Sequence, residues 1–192
     1  MCKQVSTESR EISGLVGMVL LLAAGTGAAQ PAGSILLFSD PGYTDCTLID
    51  ADASLHTVYV VHNTGTGATA VLFALLNLGA SGLTYVGEAV APFVHVGNTQ
   101  VELGVTYGEC RTGLVLVCTV VYAGDGTSGS CSSLNVIGSL IVGMQAEAVD
   151  CSFGSIFPAE GRLIVNPDET CPCTLPVAVE ETTWGRVKAL YQ

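Results

Sequence analysis

The apolar run Gly113–Tyr122 constrains the fold of this chain more than any other part of its sequence. It is short and rich in β-branched residues, and further glycines follow it at Gly124 and Gly126. These features predict a central β-strand that is buried on both faces. Strict alternation predicts one face with Leu114, Leu116, Cys118, Val120 and Tyr122, and another with Val115, Val117, Thr119 and Val121.

The remaining apolar segments are also typical of strands. Turn residues separate them at intervals of about eight to twelve residues, which is the spacing of a β-sandwich or β-barrel. The segment Ala70–Leu78 is rich in leucine and alanine, so a helix is an alternative there. Strands are predicted at Ser34–Ser39, Cys46–Asp50, Leu55–Asn63, Ala70–Leu78, Leu83–Ala89, Phe93–Val96, Val101–Tyr107, Leu134–Val142, Glu147–Asp150 and Arg162–Val165.

No helical stripe before the C-terminus is long enough to connect parallel strands, so the sheets should be antiparallel. We therefore expect an all-β fold, an antiparallel β-sandwich of Ig-like or jelly-roll-like type with about ten strands and a short C-terminal helix. Three regions are predicted: a signal peptide (residues 1–29), the sandwich domain (30–175), and a linker with the short helix (176–192).

The first 29 residues have the composition of a secretory leader. Lys3 and Arg10 precede the apolar stretch Gly14–Ala24, and small residues follow at Gly27–Ala29. This order matches a signal peptide with its cleavage site, although an uncleaved N-terminal anchor is the alternative. We therefore expect a secreted protein, extracellular or periplasmic, with no transmembrane span once the leader is removed.

The charge of the chain excludes one class of partner. Six Lys and Arg stand against 17 Asp and Glu, which gives a net charge of −11. Non-specific nucleic-acid binding requires cations that neutralise phosphates, so it is not expected here. Docking on anionic lipid is disfavoured for the same reason.

The cysteines also indicate export, because disulfides persist in oxidising compartments. Cys118 lies within the central apolar run, where a free thiol behaves as a small hydrophobic residue. The other candidates for bridging are Cys46, Cys110, Cys131, Cys151, Cys171 and Cys173. We expect Cys46 to pair with Cys110, and Cys131 and Cys151 to pair with Cys171 and Cys173. Zinc at Cys171-Pro-Cys173 is the rival interpretation, but a zinc ribbon needs a second pair of ligands.

The C-terminal segment differs from the body. Pro172 and Pro176 bracket an extended linker, and Thr182 or Thr183 can cap a short helix. An apolar stripe then follows at Trp184, Val187, Leu190 and Tyr191. A helix this short is unstable alone, so we expect the stripe to dock on the body or on a partner.

Several short motifs are spread along most of the chain. They are Phe38–Pro41, Gly97–Gln100, Tyr107–Cys110, Val149–Cys151, Val165–Asp168 with Cys171-Pro-Cys173, and the ending Glu181–Tyr191. In these motifs the chain resembles a group of uncharacterised secreted bacterial β-rich proteins, and the Trp-Gly-Arg-Val-Lys-Ala-Leu-Tyr ending is the most specific part. The resemblance implies export and a β-rich body, and it implies no activity. Cys118 departs from the group's pattern.

No constellation of residues predicts catalysis. His56 and His62 are six residues apart on one strand, about 20 Å, so they cannot share a metal ion. Neither G-x-S-x-G nor a phosphate-binding glycine loop is present. The sequence therefore predicts no cofactor. Ca²⁺ is the alternative left open, held by loop aspartates, which are more often solvated turn residues. The calcium candidates are Asp40, Asp45, Asp50 and Asp52.

Two functions from different classes follow. The preferred one is a secreted, non-catalytic β-sandwich with a structural, adhesive or assembly role. The alternative is a small extracellular hydrolase that uses loop carboxylates, supported by calcium. Two apolar runs, Val71–Leu76 and Leu114–Val121, leave more apolar surface than one sandwich core requires. Because the body also has no lysine to guard a sheet edge, we expect self-association through a sheet face or edge.

Overall fold

The computed structural model of the protein describes residues 33–139 and 145–173. The expected leader and C-terminal helix lie outside these residues. Every regular element in the described ranges is a β-strand. They are β1 (Ser34–Phe38), β2 (Thr47–Leu48), β3 (Leu55–Asn63), β4 (Ala68–Leu78), β5 (Leu83–Val90), β6 (Val94–Asn98), β7 (Glu102–Arg111), β8 (Leu114–Gly124), β9 (Ser132–Ile137), β10 (Glu147–Asp150), β11 (Ser155–Ile156), β12 (Ala159–Glu160) and β13 (Arg162–Val165).

The strands form two sheets. The first has the order β12-β1-β3-β8-β5. In the second, β4 pairs with β7 on one side and with β9 and β10, one after the other, on its other side. Beyond β7 lies β6, beyond β10 lies β11, and beyond β9 lie β13 and then β2. The predicted all-β sandwich is therefore confirmed, and the segment Ala70–Leu78 is part of a strand.

Both sheets are mixed rather than purely antiparallel. The two parallel pairs are β1 with β12 and β13 with β2. In each pair one member has only two residues and lies at the edge of its sheet. The chain changes sheets next to both short strands, through residues 39–46 between β1 and β2 and through Gly161 between β12 and β13. These changes of sheet place a parallel partner at an edge without a helical crossover, which the sequence pattern does not predict.

The core lies between the sheets and follows the alternation of the strands. In β4, Val71, Phe73 and Leu75 are buried, and in the neighbouring β7 Leu103, Val105 and Tyr107 are buried. The opposite sheet contributes Ile35, Leu37, Val58 and Val60. Because intervening residues of β4 and β7 face outward, the outer surface of the second sheet is free to carry a site.

The central strand β8 departs from strict alternation at a β-bulge. Val60 pairs with Cys118 but Val61 pairs with Leu116, so Val117 is an extra residue in β8. Both Val117 and Cys118 are therefore buried in the core, and Val115 joins them. The predicted face that joins Leu116 to Cys118 is wrong, because a bulge shifts the side chains that follow it by one position.

The outer face of the first sheet is also apolar. Leu36, Phe38 and Val61 are buried there as a separate cluster, and Tyr43, Tyr59 and Leu116 pack against it. The ring centroids of Phe38 and Tyr43 are 5.7 Å apart. This second cluster explains why β1 and β8 are apolar at nearly every position.

Three disulfides join the sheets and loops: Cys46–Cys173, Cys110–Cys151 and Cys131–Cys171. The bridge Cys131–Cys171 is among the expected pairings. The expected pairing of Cys46 with Cys110 is wrong, because Cys110 lies near the end of β7 and Cys46 precedes β2 on the far side of the same sheet. The expected pairing of Cys151 with Cys171 or Cys173 is wrong for the same reason, since Cys151 follows β10 and lies within reach of Cys110. Since the two cysteines of Cys171-Pro-Cys173 belong to different bridges, the zinc alternative is wrong as well. Cys118 is a buried free thiol, and burial raises its pKa.

Among the described residues, none forms a helix with the length and apolar character that crossing a membrane requires.

Candidate functional site

The strand β6 ends the second sheet and is exposed along its whole length. Among the strands that the structure describes it pairs only with β7, and the side chains of Val94 and Val96 are 75% and 74% exposed. The body anchors β6 at both ends. Phe93 packs edge-on against Tyr107 with ring centroids 5.1 Å apart, and Thr99 is buried after the strand. This edge carries no charged residue and no proline.

A shallow groove lies beside β6 on the outer face of the sheet. Four strands contribute to it in register, because β6, β7, β4 and β10 pair in that order. One row across the strands is Val94, Thr106, Ala70 and Val149, and the next is Val96, Gly104, Leu72 and Glu147. We call these eight residues the β6–β10 groove. Its volume is about 410 Å³.

Gly104 forms the floor of the groove. A β-carbon at this position would lie 3.3 Å from Cγ1 of Val96 and 3.4 Å from Cδ1 of Leu72. The two side chains therefore lean over the glycine from either side. A residue with a side chain at position 104 would fill the space that the glycine leaves, so the depression depends on it.

Covalent and hydrogen bonds hold the walls of the groove. The Cys110–Cys151 disulfide links the end of β7 to the turn after β10. Within that turn, the backbone N–H groups of Ser152 and Gly154 donate to Oδ1 of Asp150 at 2.7 and 2.8 Å. The turn also presents Phe153, which is 81% exposed and has a φ of 64°. The surface beside the groove is thus apolar and firmly tied to the sheet.

At the other end, the loop after β6 is fixed to the body. The backbone N–H of Thr99 donates to Oε2 of Glu88 at 3.0 Å, and the carbonyl of Thr99 accepts from the N–H of Leu75 at 2.8 Å. Both partners lie on the body of the sandwich, on β5 and β4. The groove is therefore preformed on regular strands, which is the usual support of a binding surface.

The electrostatics of the groove are simple. Glu147 is its one ionisable member, and Ser155 donates to Oε1 of Glu147 at 2.5 Å. Beyond the rim, Arg111 pairs with Glu109 at 2.8 Å, and its guanidinium lies 5.9 Å from the ring centroid of Phe93. The surface is therefore apolar with a weakly negative end.

The calcium candidates serve as turn residues. Asp40 accepts from the N–H groups of Asp45, Thr44 and Gly42 at 2.7 to 3.0 Å, and these bonds, led by the one from Asp45, lower the pKa of its carboxyl. Asp45 accepts from the N–H of Thr47 at 2.8 Å. The structure does not gather the four aspartates into one site.

Asp50 is the buried member of this set, and Asp52 is exposed. Burial opposes ionisation of Asp50, but hydrogen bonds from Ser128 and Gly126 and the nearby His56 outweigh it, so its pKa is lowered. The side chain of Asn166 closes the same junction by accepting from the N–H of Asp50 at 2.8 Å. The side chains of Asp50 and Asn166 together therefore join the segments around residues 50, 126–128 and 166.

The histidines do not form a catalytic set. Ser54 Oγ lies 3.2 Å from His56 Nε2, a contact that the sequence did not predict, and Asp50 Oδ1 lies 3.8 Å from the same nitrogen. In a catalytic triad the acid holds the other ring nitrogen, so this geometry does not activate the serine. His62 is fully buried, with Nδ1 2.8 Å from the Tyr107 hydroxyl, and His95 is exposed on β6.

Two other features bear on the hydrolase alternative. A second depression of about 340 Å³ lies beside β2 and β3, and Asp45 is the only acid among its lining residues. In the described part of the chain, one group has the spacing of metal ligands: Cys131, Cys171 and Asp168. The two cysteines of this group form a disulfide with each other. Hydrogen bonds to Asp168, the strongest from Ser130 and the next from Thr170, lower the pKa of its carboxyl to about 2.

The tail residues Trp184, Val187, Leu190 and Tyr191 lie outside the described residues. Sequence reasoning also missed the β6–β10 groove. One signal was available: β6 and its neighbours alternate small or apolar outward residues where a solvated face would carry charged ones. The groove itself depends on which strands become neighbours, and strand pairing cannot be deduced from the sequence alone.

Solved structures similar to this fold are cohesin modules. One, from a family 33 glycoside hydrolase of Clostridium perfringens, has a TM-score of 0.50 at 7% identity and covers 72% of this chain and 99% of its own. A non-cellulosomal cohesin from Archaeoglobus fulgidus has a TM-score of 0.44 at 15% identity, covering 80% and 96%. Neither a protein-family model nor a curated protein matches the sequence. At these identities the likeness shows a cohesin-like β-sandwich fold and nothing about activity.

Proposed function

We propose that this protein is a secreted, non-catalytic β-sandwich module with a structural or assembly role outside the cytoplasm, and that it self-associates through the edge of β6. The observation that carries the proposal is the exposed edge of this strand. Within residues 33–139 and 145–173, its outer backbone groups have no neighbouring strand, and neither a charge nor a proline of β6 protects them. Native proteins usually protect such edges, because an open edge accepts a strand from another chain.

The partner that fits this edge best is a second copy of the chain. Two identical β6 strands can pair antiparallel about a twofold axis, so that the second sheet continues from one copy into the other. Val94 and Val96 of each copy would then lie beside those of the partner. Since β6 carries no charged residue, the contact brings no like charges together even though each chain has a net charge of −11.

The fold is consistent with a binding role. The cohesin from the glycoside hydrolase of Clostridium perfringens is a module of a larger protein, and its fold is similar to that of this chain. The hydrolase alternative requires two convergent acids in a depression, whereas the β6–β10 groove and the depression beside β2 and β3 each have one acid among their lining residues. Both points support assembly over catalysis.

The test is light scattering of the protein at micromolar concentration, with His95→Glu compared with Thr84→Glu. Both positions are exposed on edge strands, β6 of the second sheet and β5 of the first. Glu at position 95 places like charges near each other across a β6–β6 contact, which is destabilising in paired strands. We expect the parent protein and Thr84→Glu to be dimeric and His95→Glu to be monomeric.

A strictly monomeric parent protein would refute self-association. Equal dimerisation of both variants would place the contact elsewhere and would refute the role of β6. Melting temperatures close to that of the parent protein show that neither variant has lost its fold.

A further inference from the structure

The β6–β10 groove is an apolar surface on the solvent side of the sandwich. The outer face of such a sheet normally carries polar residues that alternate with the core. Here six of the eight groove residues are Val, Leu, Ala or Gly, and Val94 and Val96 stand about three-quarters exposed on its rim. An apolar surface of this kind marks a place where another segment binds.

We propose that the groove is the docking site of the chain's own C-terminal segment, Glu180–Tyr191, bound within the same molecule. The inference rests on the docking role proposed for this side of the sheet, but it does not depend on pairing of the β6 edges. The segment carries the stripe Trp184, Val187, Leu190 and Tyr191, which needs an apolar surface of its own.

The dimensions of the groove suit a single amphipathic helix. Four paired strands span three strand spacings, about 14 Å, and a helix with its side chains is about 10–12 Å across. Val96 and Val149 mark the two sides of the depression and Gly104 its floor. A large aromatic side chain such as Trp184 can enter above the glycine without displacing a strand.

The charges are complementary. The segment carries two acids and two cations: Glu180 and Glu181 precede the apolar stripe, and Arg186 and Lys188 lie between its residues. Glu147 is the only acid among the residues that line the groove, and His95 of β6 lies beside it. The stripe region Trp184–Tyr191 therefore brings two cations and no acid to Glu147, while the two acids of the segment lie on its tether side, which favours docking of this region over that of an acidic one.

The tether allows docking within one molecule. Cys173 is bonded to Cys46 next to β2, and four strand spacings, about 19 Å, separate β2 from β7. The strand register places Thr47 level with Leu78, six residues or about 20 Å along β4 from Leu72, so the direct separation from the groove is roughly 28 Å. Residues 174–183 can span about 33 Å when extended. A short tether gives an effective concentration in the millimolar range, so docking within the molecule prevails over docking between molecules at micromolar concentration.

Trp184 is the only tryptophan of the protein, and its fluorescence therefore reports on the segment alone. The experiment uses the full mature chain with its disulfides intact, diluted below the concentration at which it self-associates. We expect the emission of Trp184 to lie at shorter wavelength, and to be less quenched by acrylamide, than that of a synthetic Glu180–Gln192 peptide. Both differences should persist unchanged on further dilution.

Two groove variants and one control locate the docking site. Val96→Asp places a charge on the rim, and Gly104→Leu fills the floor with an apolar side chain; both should shift the Trp184 emission to that of the free peptide. The control is Val86→Asp on β5, which alters an exposed valine of the other sheet and should leave the emission unchanged. Melting temperatures show whether each variant is folded.

Emission equal to that of the free peptide in the parent protein refutes the proposal. So does emission that neither groove variant alters, and so does a blue shift that disappears on dilution, because that shift would come from another copy. These results are independent of the assembly test: a monomeric protein with a docked segment refutes β6 pairing alone. A dimeric protein with a free segment refutes the docking alone.

Discussion

At the scale of single residues, the buried polar side chains hold loops and strands together. Asp50 accepts two backbone hydrogen bonds from the 126–128 loop and lies at a junction closed by Asn166. His62 and Tyr107 form a buried pair between the two sheets. Such groups add specificity to a core that is otherwise apolar, provided that their hydrogen bonds are satisfied.

His62 makes the stability of the protein depend on pH. Burial lowers its pKa to about 4, whereas the histidine of the unfolded chain has a pKa of about 6.5. The unfolded state therefore binds a proton first as the pH falls. The contribution of neutral His62 is complete above pH 6.5, and it decreases steadily between pH 6.5 and 4. We expect a loss of about 3 kcal/mol in the free energy of unfolding across this window from this group alone.

Urea unfolding at several pH values measures this loss in the parent protein and in His62→Gln, whose side chain does not titrate. The free energy of unfolding is plotted against pH for both proteins, and the difference between the two slopes gives the contribution of His62. The carboxyls whose pKa is lowered, such as those of Asp40 and Asp168, contribute equally to both plots. His95→Gln, on the exposed edge strand, is the control and should keep the parent profile. A His62→Gln profile parallel to that of the parent protein contradicts the assignment.

At the scale of elements, most strands were predictable and their neighbours were not. The segment 55–63 alternates well enough that its strand has the predicted bounds, Leu55–Asn63. The bulge at Val117 was invisible, because nothing in a run of valines and leucines marks where alternation breaks. The predicted strand Leu134–Val142 is β9, which ends at Ile137, and residues 140–142 lie outside the described ranges.

The disulfide pattern had the same limit. Position along the chain suggested Cys46 with Cys110, whereas the actual partners are set by strand order in the folded sheet. For the same reason, the groove could not be predicted from the sequence. Its two rows exist because β10 pairs with one side of β4 and β7 with the other, and long-range pairing of this kind leaves no local signal.

Two bridges of nearly equal length permit a matched comparison. Cys110–Cys151 and Cys131–Cys171 have sequence separations of 41 and 40, so chain entropy predicts the same loss, about 4 kcal/mol, when either is removed. Replacing both cysteines of each bridge by serine should therefore lower the free energy of unfolding similarly. Guanidinium unfolding measures this. Only loss of Cys110–Cys151 should speed amide exchange at Val149 and Thr106 in the groove.

Equal exchange at the groove in the two variants would show that the sheet alone holds it, contrary to the role given to Cys110–Cys151. A much smaller loss of stability for one variant would show that its bridge does not close in the mature protein. Alkylation at Cys118 should occur in either variant only after unfolding, because this thiol is buried.

At the scale of the whole molecule, charge and assembly act in opposite directions. The chain carries −11, so two copies repel each other at long range, while the proposed contact at β6 is uncharged and depends on backbone hydrogen bonds and valine side chains. The acidic surface thus limits an association that the open sheet edge favours. This balance suits a protein that must remain soluble while it assembles.

Salt separates the two effects. Raising the ionic strength from about 0.05 M to about 0.5 M shortens the screening length from roughly 14 Å to roughly 4 Å, so repulsion between the copies is largely removed. The β6 contact contains no ion pair to be weakened. We therefore expect the dimer dissociation constant, measured by light scattering over a dilution series, to decrease with added salt, and His95→Glu to remain monomeric at low salt. A dimer that weakens as salt is added must be held by charge pairs, and the β6 edge would then not be the interface.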